Sequence, residues 1–132
     1  MLTNAPGSDR LFVAEREGKI YSFTNQPDCN RKDLFLDVAR EINGAKQVYG
    51  MTFHPDFETN RYCYISYVPE DSVPDGTHVS RFTVSRTDPP RADPASETVI
   101  ITWRSGGHNG ACLEFGPDGY LYISSGDGAG SF

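Results

Sequence analysis

No apolar run in this sequence approaches the roughly eighteen residues of a bilayer-crossing helix, so a helical membrane span is not expected. Positive charge is also short. Twelve Lys and Arg against eighteen Asp and Glu leave a net charge of −6, which repels phosphate backbones and anionic membranes, and nucleic acid is not expected as a partner. Cysteine is scarce and odd in number. Cys29, Cys63 and Cys112 stand far apart with no C-x-x-C pair, so neither a zinc site nor a disulfide framework is legible, and a single disulfide stays open. Cys63 and Cys112 fall inside expected strands, where a free cysteine acts as a small buried hydrophobe. The N-terminus, MLTNAPGSDR, lacks the basic and apolar regions of a signal peptide, and the chain as given carries no export address. Helical periodicity is nearly missing. Residues 33–42 alone show apolar positions at mixed spacing, which read equally as a strand followed by a loop, and a helical bundle is excluded. There is no G-x-S-x-G elbow, P-loop or H-E-x-x-H, and the glycines of 126–130 have no helix after them to cradle a phosphate.

What is present describes a folded, turn-rich β protein. Apolar residues make up 37% and aromatics 12%, too much of both for a disordered chain, and 132 residues suit one domain or a piece of one. Thirteen glycines and nine prolines favour many turns over long helices. Runs rich in β-branched and aromatic residues at 11–14, 19–24, 48–53, 62–68, 78–84, 98–103, 111–115 and 120–124 predict about eight strands. The alternation in 62–67 and 120–124 is that of sheets whose two faces meet different surroundings. Two proline- and aspartate-rich stretches, 69–76 and 88–96, read as loops.

Repetition decides the architecture. Phe53-His54-Pro55-Asp56 followed by Tyr64-Ile65-Ser66 is echoed by Phe115-Gly116-Pro117-Asp118 followed by Tyr122-Ile123-Ser124. A weaker copy, Pro6-Gly7-Ser8-Asp9 before Leu11-Phe12-Val13-Ala14, precedes both. The prolines are 49 and then 62 residues apart, a period that fits four-stranded propeller blades of about 40 to 50 residues with one insertion.

Chemistry concentrates near the C-terminal end. Ser105-Gly106-Gly107-His108-Asn109-Gly110 precedes one strand of a hairpin, and Ser125-Gly126-Asp127-Gly128-Ala129-Gly130 follows the other. If the strands are antiparallel, both loops open at the same end of the sheet, so His108 and Asp127 can meet. An imidazole whose second nitrogen is oriented by a carboxylate serves as a general base near neutral pH. His54 reads as a turn residue and His78 as a structural strand residue.

Three blocks resemble the glucose/sorbosone dehydrogenase family, the soluble sugar dehydrogenases that use pyrroloquinoline quinone (PQQ). They are Asp9-Arg10-Leu11-Phe12-Val13-Ala14-Glu15 with Gly18-Lys19-Ile20, then Gly50-Met51-Thr52-Phe53-His54-Pro55-Asp56-Phe57, then His108-Asn109-Gly110 with Phe115 through Gly128. The resemblance implies an all-β, six-bladed β-propeller. Residues 1–132 would form an N-terminal fragment of that single domain, covering two blades and part of a third. It implies oxidation of an aldose by hydride transfer to the quinone, with His108 as the base and Asp127 supporting it. It further implies PQQ and Ca²⁺ as cofactors, with most cofactor contacts and the calcium ligands beyond Phe132. An external electron acceptor, the remaining blades as partners, and a periplasmic or secreted location are implied too. One departure stands out: where the family carries Gln or Glu in a G-[QE]-x-G-L-L-G segment, an ungapped alignment places Ala45. That departure favours the alternative, a non-catalytic propeller that binds protein or carbohydrate.

Overall fold

A computed structural model of the chain describes residues 1–69 and 74–129. Three antiparallel sheets follow one another along the chain. The first is β1 (Leu2–Asn4), β2 (Arg10–Ala14), β3 (Lys19–Thr24) and β4 (Asp33–Asp37), paired in that order. After the single-turn helix α1 (Val38–Glu41), the second runs β5 (Gln47–Phe53), β6 (Tyr62–Val68), β7 (Thr77–Val84) and β8 (Ala92–Trp103), with the single turn α2 (Phe57–Asn60) between its first two strands. The third comprises β9 (Ala111–Phe115) and β10 (Leu121–Ser125). The fold is all-β, part of a β-propeller, with 50% of the described residues in strands and 6% in helix.

The Pro-Asp repeat has one place in this plan. Pro6–Asp9 separates β1 from β2, Pro55-Asp56 separates β5 from β6, and Pro117-Asp118 separates β9 from β10. Each copy turns the chain between the first two strands of a sheet.

The second sheet is packed on both faces. Cys63, Ile65 and Tyr67 of β6 point into the core shared with the first sheet, whereas Tyr64 joins Val79 and Leu113 in a second cluster that Trp103, Phe115 and Ile123 flank. Alternation in β6 therefore separates two interiors rather than core from solvent. A phenylalanine chain links the first two sheets: Phe12 lies 5.0 Å from Phe35 and 4.7 Å from Phe53, which lies 4.8 Å from Phe57. Each such tilted or edge-on pair adds about 0.5–1.5 kcal/mol beyond its burial.

Buried Arg10 ties the strands of the first sheet together. Its guanidinium donates to the Ser22 Oγ and carbonyl oxygen and pairs with Asp33 at 2.5 Å. The Arg10 hydrogen bond holds the Asp33 carboxyl below its ordinary range, with Arg31 adding to the effect. A carboxyl depressed in the folded state contributes stability above its unfolded pKa, near 4, and loses it as pH falls through the folded value. Asp33→Asn should therefore destabilise the protein at pH 6 and progressively less toward pH 3, as read by urea denaturation at each pH.

Four expectations need correction. Three-residue β1 carried no alternation and was not expected as a strand. Asp33–Asp37 is a strand, but α1 rather than a loop follows it. β8 begins at Ala92, so 92–96, expected as loop, belongs to a strand; Pro94 is tolerated there because β8 is an edge. Of the expected loop at 69–76, residues 70–73 lie outside the described residues. Finally, Cys112 is exposed, because in β9 it is Leu113 that points toward the second sheet.

All three cysteines are free. Burial pushes the Cys63 thiol far up, whereas hydrogen bonds from the Thr24 side chain and the Arg31 backbone draw half-exposed Cys29 down. Because the thiolate is the nucleophile, an alkylating reagent at pH 7.5 should label Cys29 in the native protein and reach Cys63 only after denaturation. Peptide mapping by mass spectrometry reads both.

Candidate functional site

The β9–β10 hairpin pairs Ala111 with Ser125 at one end, so the loops bearing His108 and Asp127 leave the sheet side by side. Two backbone bonds extend the pairing beyond the strands: Gly126 N–H donates to the Gly110 carbonyl and Gly128 N–H to the His108 carbonyl, both at 3.2 Å. Close approach requires glycine here. A Cβ on Gly126 would lie 2.0 Å from the His108 carbonyl oxygen, and one on Gly106 would lie 1.9 Å from that of Gly128. Asn109, buried, fastens the loop from inside, its amide accepting from Gly106 N–H and donating to Gly106 O, each at 2.6 Å.

On this frame His108 Nδ1 stands 3.0 Å from Asp127 Oδ1, with side chains 64% and 71% exposed. The Ala129 backbone N–H donates to the same oxygen, and it, with His108, holds the Asp127 carboxyl below its ordinary range. Asp127 is thus an anion at neutral pH. It takes the proton of Nδ1, which leaves the lone pair of neutral imidazole on Nε2, free of hydrogen bonds among the described residues.

His108 lines a cleft of about 340 Å³ together with Arg16, Val48, Tyr49, Gly107 and Gly110. Its far wall comes from the other two sheets. The turn between β2 and β3, where Gly18 has φ +105°, is pinned to β5 by a bond from Val48 N–H to the Arg16 carbonyl. In β5 the register slips between Val48 and Gly50, so Tyr49 is the bulged residue, and its ring faces the cleft. Gly50 lets β9 close in: a Cβ there would stand 3.0 Å from the Ala111 carbonyl oxygen. Gln47 accepts from the Tyr49 hydroxyl, and the Arg16 guanidinium lies 5.6 Å from the Tyr49 ring centroid.

The structure brings His108 and Asp127 together. It puts Ala45 elsewhere, 4% exposed in the core between the first two sheets, so the polar group serving the cleft near that segment is Gln47, acting through Tyr49. Arg16, Tyr49 and Gln47 were not expected from the sequence. His54 accepts from Asp56 N–H in its turn, and His78 sits between the Tyr67 hydroxyl and the Asp75 carbonyl, the structural roles expected of both.

The chain is similar to several known proteins. The chain is 31% identical over 144 residues to the human Hedgehog-interacting protein, covering 96% of this chain and 20% of that one. It is 27% identical to quinoprotein glucose dehydrogenase B of Acinetobacter calcoaceticus, covering 90% of this chain and 26% of that one. Among solved structures, the PQQ-bound aldose sugar dehydrogenase of Streptomyces coelicolor superposes with a TM-score of 0.75 at 23% identity, over 97% of this chain and 37% of that one. The chain thus spans between a fifth and two fifths of the length of these relatives. The family model described as Glucose / Sorbosone dehydrogenase matches residues 1–131, and the chain belongs to that family.

Proposed function

We propose that the protein carrying this chain oxidises an aldose with a bound quinone as acceptor, and that His108 is the base. The observation that carries this reading is the His108–Asp127 contact at 3.0 Å, which leaves Nε2 open at a cleft. Asp127 fixes the tautomer and favours the imidazolium that forms. His108 Nε2 takes the proton of the anomeric hydroxyl as C1 gives up its hydride, and the aldose leaves as a lactone, two electrons and two hydrogens poorer. When bound, the quinone supplies the two-electron acceptor for that hydride.

The cleft suits such a group. Gly107 and Gly110 flank His108 and Asn109 without side chains, a Cβ on Gly110 would meet nothing within 4 Å, and Tyr49 supplies an aromatic ring to the lining. Calcium has no such support: no group of three His, Cys, Asp or Glu among the described residues can hold a metal ion. The chain's three sheets form, in this reading, the N-terminal part of one propeller, with the remaining blades completing the site. Work outside the cytoplasm belongs to the same proposal. The test is dye reduction by the protein expressed from its natural reading frame, supplied with PQQ and a panel of aldoses; turnover supports the reading, and its absence at saturating quinone opposes it.

A second reading is a non-catalytic propeller that binds a protein or carbohydrate. The 31% identity to the human Hedgehog-interacting protein, against 27% to the quinoprotein, favours it. Retained quinone uptake separates the two.

A further inference from the structure

The chain is acidic, with a net charge of −6, yet no Asp or Glu lines the His108 cleft. The one Lys or Arg side chain lining it is Arg16. Elsewhere some arginines are ion-paired, Arg10 and Arg31 to Asp33 and Arg91 to Glu41, whereas Arg61 and Arg86 donate to backbone carbonyls. Arg16 has no carboxylate within ion-pair distance among the described residues, and its side-chain hydrogen bond there is a long one, 3.5 Å to the Tyr49 hydroxyl. Its backbone is held in place beside the cleft. The Arg16 carbonyl is bonded to Val48 N–H, the guanidinium lies over the Tyr49 ring, and Gln47 holds the Tyr49 hydroxyl.

An arginine so placed offers most of its five donors to the cleft in a planar fork, the geometry that grips a carboxylate through two parallel bonds. We infer that Arg16 is the carboxylate-binding residue of this cleft, and that its ligand carries a carboxylate near the group His108 deprotonates. Two sources share that chemistry: a uronic acid, which is an aldose bearing its own carboxylate, or the carboxylates of the quinone. The inference rests on reading the cleft as a ligand site, but not on His108 acting as a base.

Calorimetric titration of the protein expressed from its natural reading frame tests it, with glucuronate, glucose and PQQ as separate probes. Charge-assisted bonds of this kind correspond to about tenfold or more in Kd. Arg16→Gln should weaken glucuronate or PQQ by that factor, leave glucose unchanged, and abolish the salt dependence of the affected Kd. Loss confined to glucuronate names the substrate as the source, and loss confined to PQQ names the cofactor. Arg16→Lys keeps the charge without the fork and should fall between, which reads the same point if the glutamine variant misfolds. Unchanged affinity of Arg16→Gln for both carboxylated probes overturns the inference, as does wild-type protein that binds neither. Because these are binding measurements, a failed base assignment leaves them standing, and unchanged affinity of Arg16→Gln leaves the base assignment standing.

Discussion

His108→Ala is expected to lower aldose oxidation about 10²-fold or more, the usual loss on removing a positioned general base. The effect should appear in kcat as well as kcat/KM, because the proton moves only as C1 is oxidised. Stability should barely change, since the side chain is 64% exposed and packs in neither core cluster. A variant that melts like wild type but does not turn over is therefore the expected phenotype. Asp127→Asn should cost less. The amide oxygen still accepts the Nδ1 proton, but the charge that favours imidazolium is gone. The variant's turnover should therefore lie between those of wild type and His108→Ala. Wild-type turnover in Asp127→Asn would show that the carboxylate does not act on the base.

Gly126→Ala is expected to do comparable damage without touching either residue. Its added methyl would stand 2.0 Å from the His108 carbonyl oxygen and 2.8 Å from the carbonyl carbon, so the two loops must part. Nothing flexible is there to yield, because the clash is with backbone. Parting the loops breaks the Gly128 N–H to His108 carbonyl bond and pulls Asp127 from Nδ1. Misplacing a catalytic group by about 1 Å costs about 10²-fold. Turnover should fall by that order while quinone affinity changes little, and the NMR signal of the His108 Nδ1 proton should report the lost hydrogen bond. Turnover at the wild-type level would show that the paired loops do not position the base.

How much of this was legible from the sequence differs by feature. Asp127 and His108 could be paired because a short hairpin lies between them, and antiparallel pairing alone brings its two ends together. The Pro-Asp turns announced the order of the sheets, since each copy is followed by a strand of the same pattern. Arg16 and Tyr49 were invisible for the opposite reason. Tyr49 faces the cleft through a bulge, and Arg16 reaches it through a turn bonded across to β5, features that no local period encodes. β1 was missed because three residues with both ends exposed carry no alternation, and Ala92–Trp103 was read short because Asp93 and Pro94 are turn formers that an edge strand accepts.

An anaerobic single turnover separates a cleft that oxidises sugar from one that only binds it. Protein expressed from its natural reading frame is loaded with PQQ, mixed with an aldose in the absence of dye, and followed by absorbance of the quinone and by chemical assay of lactone. The oxidised quinone spectrum should be lost, with one lactone formed per quinone reduced. Quinone that binds but stays oxidised at saturating concentrations of neutral and acidic aldoses alike, or protein that takes up no quinone at all, would contradict it.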